Sequence, residues 1–385
     1  MSYPYEWSFA QLKAAALLHL DFQRFLLEKN AILTDATAYN VQFIGSKPVF
    51  IDALSLAAYQ EGQFWLAHGQ FCEQFLNPLL LRAKKGVPHN AWYRGTLTGI
   101  STPDLNALLS LGDKFSWNVF SQVVLPTWLE RKTLNHPQAA HARINQKKNF
   151  SKTAYRGFLT LLRDWIATLV PRDTGKSVWE EYAHTNVYSE TDAAIKGRVV
   201  ETFANQWKPA LLIDLGCNVG DYSLAALKGG ADYVVGFDFD HKAVELAYER
   251  ARLSSSRFLP LSFDATNPSP DTGWRQRERE GFEQRSKRAD ALIALAFVHH
   301  LAIGKNIPLD QAVEMLVSLA PRGLIEFVQK DDETIRTMLA IRADIFPHYT
   351  PEAFTAALEK RAKIVAATVV SHSGRTIYEY DRSGG

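Results

Sequence analysis

The sequence predicts an α/β chain. Its second half is a seven-stranded, mostly parallel sheet with an antiparallel last strand, and a mainly helical N-terminal domain precedes it. Three observations predict this. From Leu211 onward, short apolar runs alternate with helix-patterned segments, the pattern of parallel strands joined by crossover helices. The last two runs, 363–370 and 376–380, are separated only by Ser371-His372-Ser373-Gly374 and its immediate neighbours. A parallel crossover needs about a dozen residues or more, so that pair must be antiparallel. Upstream, the apolar spacing is helical and punctuated by Pro78, Pro88, Pro103, Pro126 and Pro137.

Taken in order, residues 8–30 read as an amphipathic helix, with Phe9, Leu12, Ala16, Leu20 and Leu27 near helical spacing. The short apolar runs 41–43 and 48–51 flank Gly45-Ser46 and read as a hairpin. Residues 55–170 read as mainly helical. Within them, 136–152 is polar and locally basic through Arg143, Lys147, Lys148 and Lys152, which fits a solvated helix or loop. Residues 171–176 read as a connector and 178–207 as one or two helices. The strands of the second half fall at 211–215, 233–238, 257–263, 290–296, 323–327, 363–370 and 376–380. Helices at 222–228, 241–254 and 309–319 lie between the first five. The expected division is a domain over 1–170, connector helices over 171–207 and an α/β domain over 208–385.

Bulk composition excludes several classes. Apolar residues make up 46% of the 385-residue chain and charged ones 22%, which suits a globular protein with a substantial core. A formal charge of +2 gives no general attraction to nucleic acid or anionic membrane. Cys72 and Cys217 are the only cysteines, too few and too distant for a disulfide framework or a metal cluster. The first residues lack a basic stretch running into an apolar core, so they do not read as a signal peptide. The longest apolar stretch, 291–303, is interrupted by His299 and His300, and a bilayer span takes about 20 residues. A cytoplasmic protein is expected.

The strongest local signal is Leu-Leu-Ile-Asp-Leu-Gly-Cys-Asn-Val-Gly-Asp-Tyr-Ser, residues 211–223. Gly216 and Gly220 let the backbone turn sharply at a strand's carboxyl end, where open parallel sheets bind ligands. Asp214 stands at that strand end. A carboxylate there repels a pyrophosphate and attracts an ammonium. The third glycine of the dinucleotide fingerprint is absent, which argues against a nicotinamide-dependent oxidoreductase. Asp238 closes the second strand, where a carboxylate accepts ribose hydroxyls, and Phe239 can pack on an adenine face. Asp264 follows the third strand and suits an adenine amino group. Taken alone, each acid reads better as a plain structural group, Asp214 and Asp264 as helix caps and Asp238 as a loop acid. Three in succession around one glycine turn describe a nucleoside site without phosphates.

These residues resemble the class I S-adenosylmethionine (SAM)-dependent methyltransferases, whose fold is Rossmann-like. Asp214-Leu-Gly-Cys-Asn-Val-Gly220 is similar to their first motif, Asp238 to their ribose-binding acid and Asp264 to their adenine-side acid. The resemblance covers about residues 178–385 and implies SAM as cofactor, held by Asp214, Gly216, Asn218, Gly220, Asp238, Phe239, Asp264, Ala265 and Ala296. More narrowly, several segments resemble a bacterial group of nodulation-type methyltransferases. They are Val298-His299-His300-Leu301 with Asn306-Ile-Pro308, and Ile325-Glu326-Phe327-Val328 with Lys330-Asp331-Asp332. Tyr3-Pro-Tyr-Glu-Trp7 and Asp35-Ala-Thr-Ala-Tyr-Asn40 extend that similarity to the full length.

Methyl transfer is an in-line displacement, so the nucleophile must sit about 3 Å from the methyl carbon and lose any proton it carries. The fourth strand runs into His299 and His300, and histidine suits a base near neutral pH. Glu326 in the fifth strand can orient a histidine or the acceptor. Its bland alternative is a satisfied core carboxylate. The catalytic candidates are His299, His300 and Glu326, with no metal site. No Asn-Pro-Pro-Tyr-like motif follows the fourth strand, and no cysteine lies on the acceptor side, which disfavours adenine-type and covalent cytosine chemistry. The expected acceptor is a hydroxyl or simple amine of a small molecule or glycolipid-like substrate. A protein or RNA acceptor and a non-catalytic SAM-fold binding protein are the alternatives.

The insertion 267–289 carries Arg275, Arg277, Arg279, Arg285, Lys287 and Arg288 interleaved with Glu278, Glu280 and Glu283, a pattern that suggests a solvated helix. Tyr182 and Tyr188 are candidates to close over the cofactor, though aromatics in such helices more often pack as core. In the N-terminal domain, the spacing of Asp35 and Asn40, with Asp52 after the hairpin, resembles a protein-kinase catalytic loop and its metal-binding aspartate. No glycine-rich lid or phosphate-binding lysine strand precedes it, and Asp52 is followed by Ala-Leu rather than Phe-Gly. The region reads as a kinase-like C-lobe remnant, structural or substrate-binding, or as a coincidence of spacing in a helical lid.

Overall fold

The computed structural model describes residues 1–63, 65–128, 151–172, 190–340 and 342–383. The chain divides into two compact units, Met1–Gly175 and Lys176–Gly385. Arg143, Lys147, Lys148, Tyr182, Tyr188 and most of the connector lie outside the described residues.

The first unit is built on helix α1 (Phe9–Glu28), which packs against α2 (Lys152–Thr168). Both begin at serine caps: Ser8 accepts from the Gln11 N–H and Ser151 from the Ala154 N–H. The Gly45-Ser46 hairpin forms between β2 (Val41–Ile44) and β3 (Lys47–Phe50). A second antiparallel pair joins β1 (Ala31–Leu33) to β4 (Leu56–Ala58). It cuts into the region read as helical from residue 55. Three-residue strands are too short to express a period of two, and Leu-Ala-Ala carries helical propensity. The pairing of Leu33 with Leu56 decides the matter.

The second unit holds the seven-stranded sheet. Its strands are β5 (Leu212–Leu215), β6 (Val234–Asp238), β7 (Phe258–Ser262), β8 (Ala291–Ala294), β9 (Arg322–Phe327), β10 (Lys363–Val369) and β11 (Thr376–Asp381). They lie in the order β10-β11-β9-β8-β5-β6-β7. β5 to β9 pair in parallel, and β11 runs antiparallel between β9 and β10. This is the methyltransferase-type Rossmann-like sheet that the resemblance implies. Strands β5, β7 and β8 are buried at every position, as expected of parallel strands covered on both faces.

Helix α3 (Glu190–Trp207) leads into the sheet and packs on α4 (Asp221–Gly229). The approach is close: a Cβ on Gly229 would lie 2.4 Å from the Glu201 carbonyl oxygen. α5 (His241–Leu253) contacts β6 and β7, while α6 (Leu309–Leu319) and α8 (Pro351–Glu359) contact each other and, respectively, β8 and β10. α7 (Glu333–Ala340) follows β9. Strand order reverses between β5 and β8, and right-handed crossovers then put α4 and α5 on one face and α6 on the other. The reversal leaves a crevice at the carboxyl ends of β5 and β8. Residues 267–289 do not form the solvated helix that their alternating charges suggest. They fold as a single helical turn at Trp274–Gln276, a bridge between Thr272 and Arg279, and a short helix Phe282–Ser286. Arg285 is drawn inward, donating to the Glu280 carbonyl and to Ser269 Oγ.

Candidate active site

At the tip of β5 the chain makes the turn its glycines anticipated. Gly216 and Gly220 have φ of +77° and +87°, and Asn218 between them has φ +48°. Side chains are excluded as well as disfavoured there. A Cβ on Gly220 would stand 2.4 Å from the Phe258 ring, and one on Gly216 would stand 3.0 Å from the Phe297 ring. The Gly216 N–H donates to the Phe237 carbonyl at 2.8 Å, so the turn hangs from β6. On α5, Arg250 donates to the Val219 carbonyl at 2.7 Å and pairs with Asp221 at 2.8 Å, bracing the turn's far side.

Two of the three sequence-predicted acids meet at this turn. Asp214 is buried and accepts from Ser223 Oγ at 2.6 Å. Asp238, also buried, accepts from the Asn218 N–H at 2.8 Å and the Asp240 N–H at 2.9 Å. Burial pushes Asp214 up to about 7, with Ser223 opposing and the Asp238 charge adding. Burial likewise raises Asp238 to about 6, against its backbone hydrogen bonds. No cation forms an ion pair with either carboxylate among the described residues, so neither charge is compensated. Asp264 differs. It is exposed, and its Oδ1 accepts from the backbone and hydroxyl of Thr266, the local loop-acid role. Phe239 is 55% exposed beside Asp238.

Across the crevice, Ala296 takes a left-handed φ of +49° just after β8, and Ala265 follows Asp264 on the opposite side. The chain then runs through His299 into the π-helical segment His300–Gly304. His299 is buried, and neither ring nitrogen has a hydrogen-bond partner among the described residues. Its ring lies 4.2 Å from that of His300, centroid to centroid. Burial holds His299 well below its usual range, aided by His300, Arg375 and Lys196. Burial, with Arg375, holds His300 at about 4. Both imidazoles are therefore neutral at pH 7, able to accept a proton but not to carry one at rest.

Glu326 is fully buried and does not orient a histidine through any hydrogen bond among the described residues. Its carboxylate takes Lys196 Nζ at 2.7 and 2.8 Å and the Ala296 N–H at 2.9 Å. Arg375 Nη1 stands 3.8 Å away, and Arg375 forks onto Asp332 through Nε at 2.7 Å and Nη2 at 2.6 Å. Lys196, Arg375 and Asp332 were missed in the sequence. Lys196 was findable: it lies in the stripe Lys196, Val200, Phe203, Ala204 that α3 buries, and a lysine in an apolar stripe is a paired or functional one. Arg375, just before β11, and Asp332, in the loop after β9, meet 43 residues apart in sequence; Asp332 stood in the Lys330-Asp331-Asp332 resemblance, but nothing local signalled the pairing.

In the first unit, Asn40 Nδ2 donates to Asp35 Oδ2 at 3.2 Å and to Asp52 Oδ2 at 3.0 Å. The three residues of the kinase-like spacing thus converge across the β2–β3 hairpin. Among the described residues no group of three or more histidine, cysteine or acidic side chains is arranged to hold a metal, and no helix is long and apolar enough to cross a membrane.

No family model matches the chain. Among solved structures it is similar to magnesium protoporphyrin IX methyltransferase (ChlM) from Synechocystis PCC 6803, at 18% identity and a TM-score of 0.38, covering 58% of this chain and 99% of that one. It is also similar to WbdD, at 16% identity and a TM-score of 0.36, covering 52% of this chain and 42% of that one. An O-methyltransferase family protein from Burkholderia thailandensis matches at 13% identity and a TM-score of 0.35, covering 50% of this chain and 56% of that one. In sequence, the chain is 48% identical over 384 residues to nodulation protein NoeA of Rhizobium meliloti (strain 1021), covering all of this chain and 80% of that protein. Identity at that level along the whole chain places it in one family with that relative: the chain belongs to the NoeA family of nodulation proteins.

Proposed function

We propose that the chain is a SAM-dependent methyltransferase acting on a hydroxyl or simple amine of a small-molecule or glycolipid-like acceptor. The observation that carries this reading is the pair of buried, uncompensated carboxylates, Asp214 and Asp238, around the Gly216–Gly220 turn. Buried carboxylates are ordinarily paired or neutralised. A cationic, hydroxyl-bearing ligand without phosphates satisfies both, and a dinucleotide does not. Asp214 would hold the ammonium of the methionine moiety and Asp238 the ribose hydroxyls. The backbone of the glycine turn, the Asn218 side chain and the backbone of Ala296 would line the rest, with Phe239, Ala265 and Asp264 toward the adenine. Bound there, SAM supplies an electrophilic methyl group on a sulfonium.

The acceptor side falls to His299 and His300. The neutral imidazoles can take the acceptor's proton as the methyl group passes from sulfonium to acceptor, but burial holds both below the near-neutral range expected of them from the sequence and makes them weak bases. Burial disfavours the imidazolium that results, so the proton must pass onward, and His300, the less buried of the two, is the outlet. Calorimetry tests the cofactor half: wild-type protein binds SAM and Asp238→Ala loses the heat. A tritiated-methyl transfer assay on cell extract, fractionated into protein, nucleic acid, lipid and small molecules, tests the acceptor. Label is expected in the lipid or small-molecule fraction. Replacing both His299 and His300 by Ala is expected to lower transfer by about a hundredfold or more while SAM still binds. Wild-type protein giving no heat with SAM would sink the reading.

A further inference from the structure

Glu326, Lys196, Arg375 and Asp332 form a chain of alternating charges, each member at most 2% exposed. It ties together the leading helix α3, strand β9, the loop after β9 and the residue just before strand β11. Such a chain is costly to bury, and well-packed apolar residues commonly serve a core as well or better. Its position gives it a use. Glu326 Oε2 accepts the N–H of Ala296 at 2.9 Å, and Ala296 stands in the left-handed region at φ +49°, which an alanine does not hold without restraint. The next residue, Phe297, lies against Gly216, so close that a Cβ there would meet its ring at 3.0 Å. The contacts run unbroken from Lys196 through Glu326 and the Ala296 N–H to Phe297 and the glycine turn.

We infer that Lys196 is a positioning residue for the cofactor pocket, fixing the Glu326 carboxylate so that the Ala296 turn seats Phe297 beneath Gly216. Lys196 touches no reacting atom and acts through Glu326. Burial lowers its affinity for a proton below the usual range, and the Glu326 carboxylate beside it opposes that lowering only in part. Arg375 supports Glu326 from the other side and is itself satisfied by Asp332, which leaves Lys196 as the closer cation on Glu326.

This inference rests on the proposed SAM site, and the test separates the two. SAM and S-adenosylhomocysteine affinities are measured by calorimetry on wild-type, Lys196→Met, Lys196→Arg and the charge-balanced double variant Lys196→Met/Glu326→Gln, each with a thermal melt. Wild-type protein without SAM binding overturns the site itself. With wild type binding, Lys196→Met is expected to remain folded and to weaken both ligands about tenfold or more, and Lys196→Arg to recover to within about threefold. A residue that only stabilised the fold would lower the melting temperature and leave the affinity of the folded protein alone. Folded Lys196→Met with affinity within twofold of wild type overturns the inference, as does Lys196→Arg binding no better than Lys196→Met. Should Lys196→Met not fold, the double variant decides: at least fivefold weaker binding supports the positioning role, and wild-type affinity refutes it.

Discussion

Raising the pH from 5.5 to 8 should tighten SAM binding, because the pocket must surrender protons to receive a cation. Burial lifts Asp214 to about 7 and Asp238 to about 6. Below those values the ligand-free pocket holds neutral carboxyls, and the ammonium of SAM prefers carboxylates. For one group that must ionise, the apparent dissociation constant is multiplied by one plus the ratio of proton concentration to acid constant. For Asp214 alone this gives roughly a thirtyfold weakening at pH 5.5 relative to pH 8. If Asp238 titrates with it, the combined effect is on the order of a hundredfold, or about 2.7 kcal/mol. The amino group of the ligand titrates near 8, so affinity should peak between about pH 7 and 8 and decline above.

Calorimetry in two buffers of different ionisation enthalpy measures both the affinity and the protons released. About 0.9 proton should leave Asp214 per SAM bound at pH 6, or about 1.4 if Asp238 titrates with it, whereas at pH 8 uptake of about half a proton by the ligand amino group should outweigh the ~0.1 released. Asp214→Asn should flatten most of the slope. The same shifts act on stability with the opposite sign. The native state keeps protons on Asp214 and Asp238 that the unfolded chain gives up near 4, so the ligand-free protein should lose stability as pH rises from about 4 to 7. Saturating SAM should therefore raise the melting temperature more at pH 8 than at pH 6. Affinity constant to within twofold between pH 5.5 and 8, with no proton release, would refute the claim that these carboxylates face the ligand cation.

Two further outcomes follow from the packing. Gly220→Ala places a Cβ 2.4 Å from the Phe258 ring at φ +87°. It should cost about 1–2 kcal/mol for the left-handed backbone and a further ~1–3 kcal/mol for overpacking, readable in chemical denaturation; an unchanged midpoint would contradict the turn described. Asp332→Asn removes the partner that Arg375 grips at 2.6 and 2.7 Å in a buried site and should destabilise the second unit by about 3 kcal/mol. Arg375 and Ser373 hold Asp332 below its usual range despite burial, so its share of stability is present above about pH 4 and fades in more acid solution. The variant should therefore show a weaker acid dependence than wild type.

The sheet was legible in the sequence almost residue by residue, because parallel strands buried on both faces read as unbroken apolar runs. The 309–319 helix coincides with α6. Asp214 and Asp238 were legible because each sits at the tip of a strand that reads clearly, Asp214 two residues before the glycine turn and Asp238 at the end of the next strand, from which it reaches the turn through the Asn218 N–H. Asp264 also sits at a strand tip, but it is exposed and one of its oxygens turns back onto Thr266. The β1–β4 pair escaped notice because three residues cannot show a period. The alternating charges of 267–289 suggested a helix facing water, yet Arg285 points inward to cap a loop. What no local pattern records is pairing over distance. Glu326 could be seen, and a lysine in an apolar stripe could be, but not that the two pair across 130 residues.

The crevice therefore contains two kinds of buried acid, and the difference assigns their work. Glu326 and Asp332 are matched by Lys196 and Arg375 at 2.6–2.8 Å; their electrostatic need is met within the chain, which suits groups that hold a backbone in place. Asp214 and Asp238 have hydroxyl and backbone donors but no cation, and their proton affinities rise accordingly. If all four served stability alone, the cheaper arrangement would pair every carboxylate or replace it with an apolar residue. Leaving two without a cation beside a turn whose glycine positions have no room for a side chain fits the proposed reading, in which the missing charge arrives with the ligand. Neutralising the fully paired half should thus cost stability and geometry, whereas neutralising Asp214 should cost ligand affinity while sparing or even raising stability above about pH 7 in the ligand-free protein.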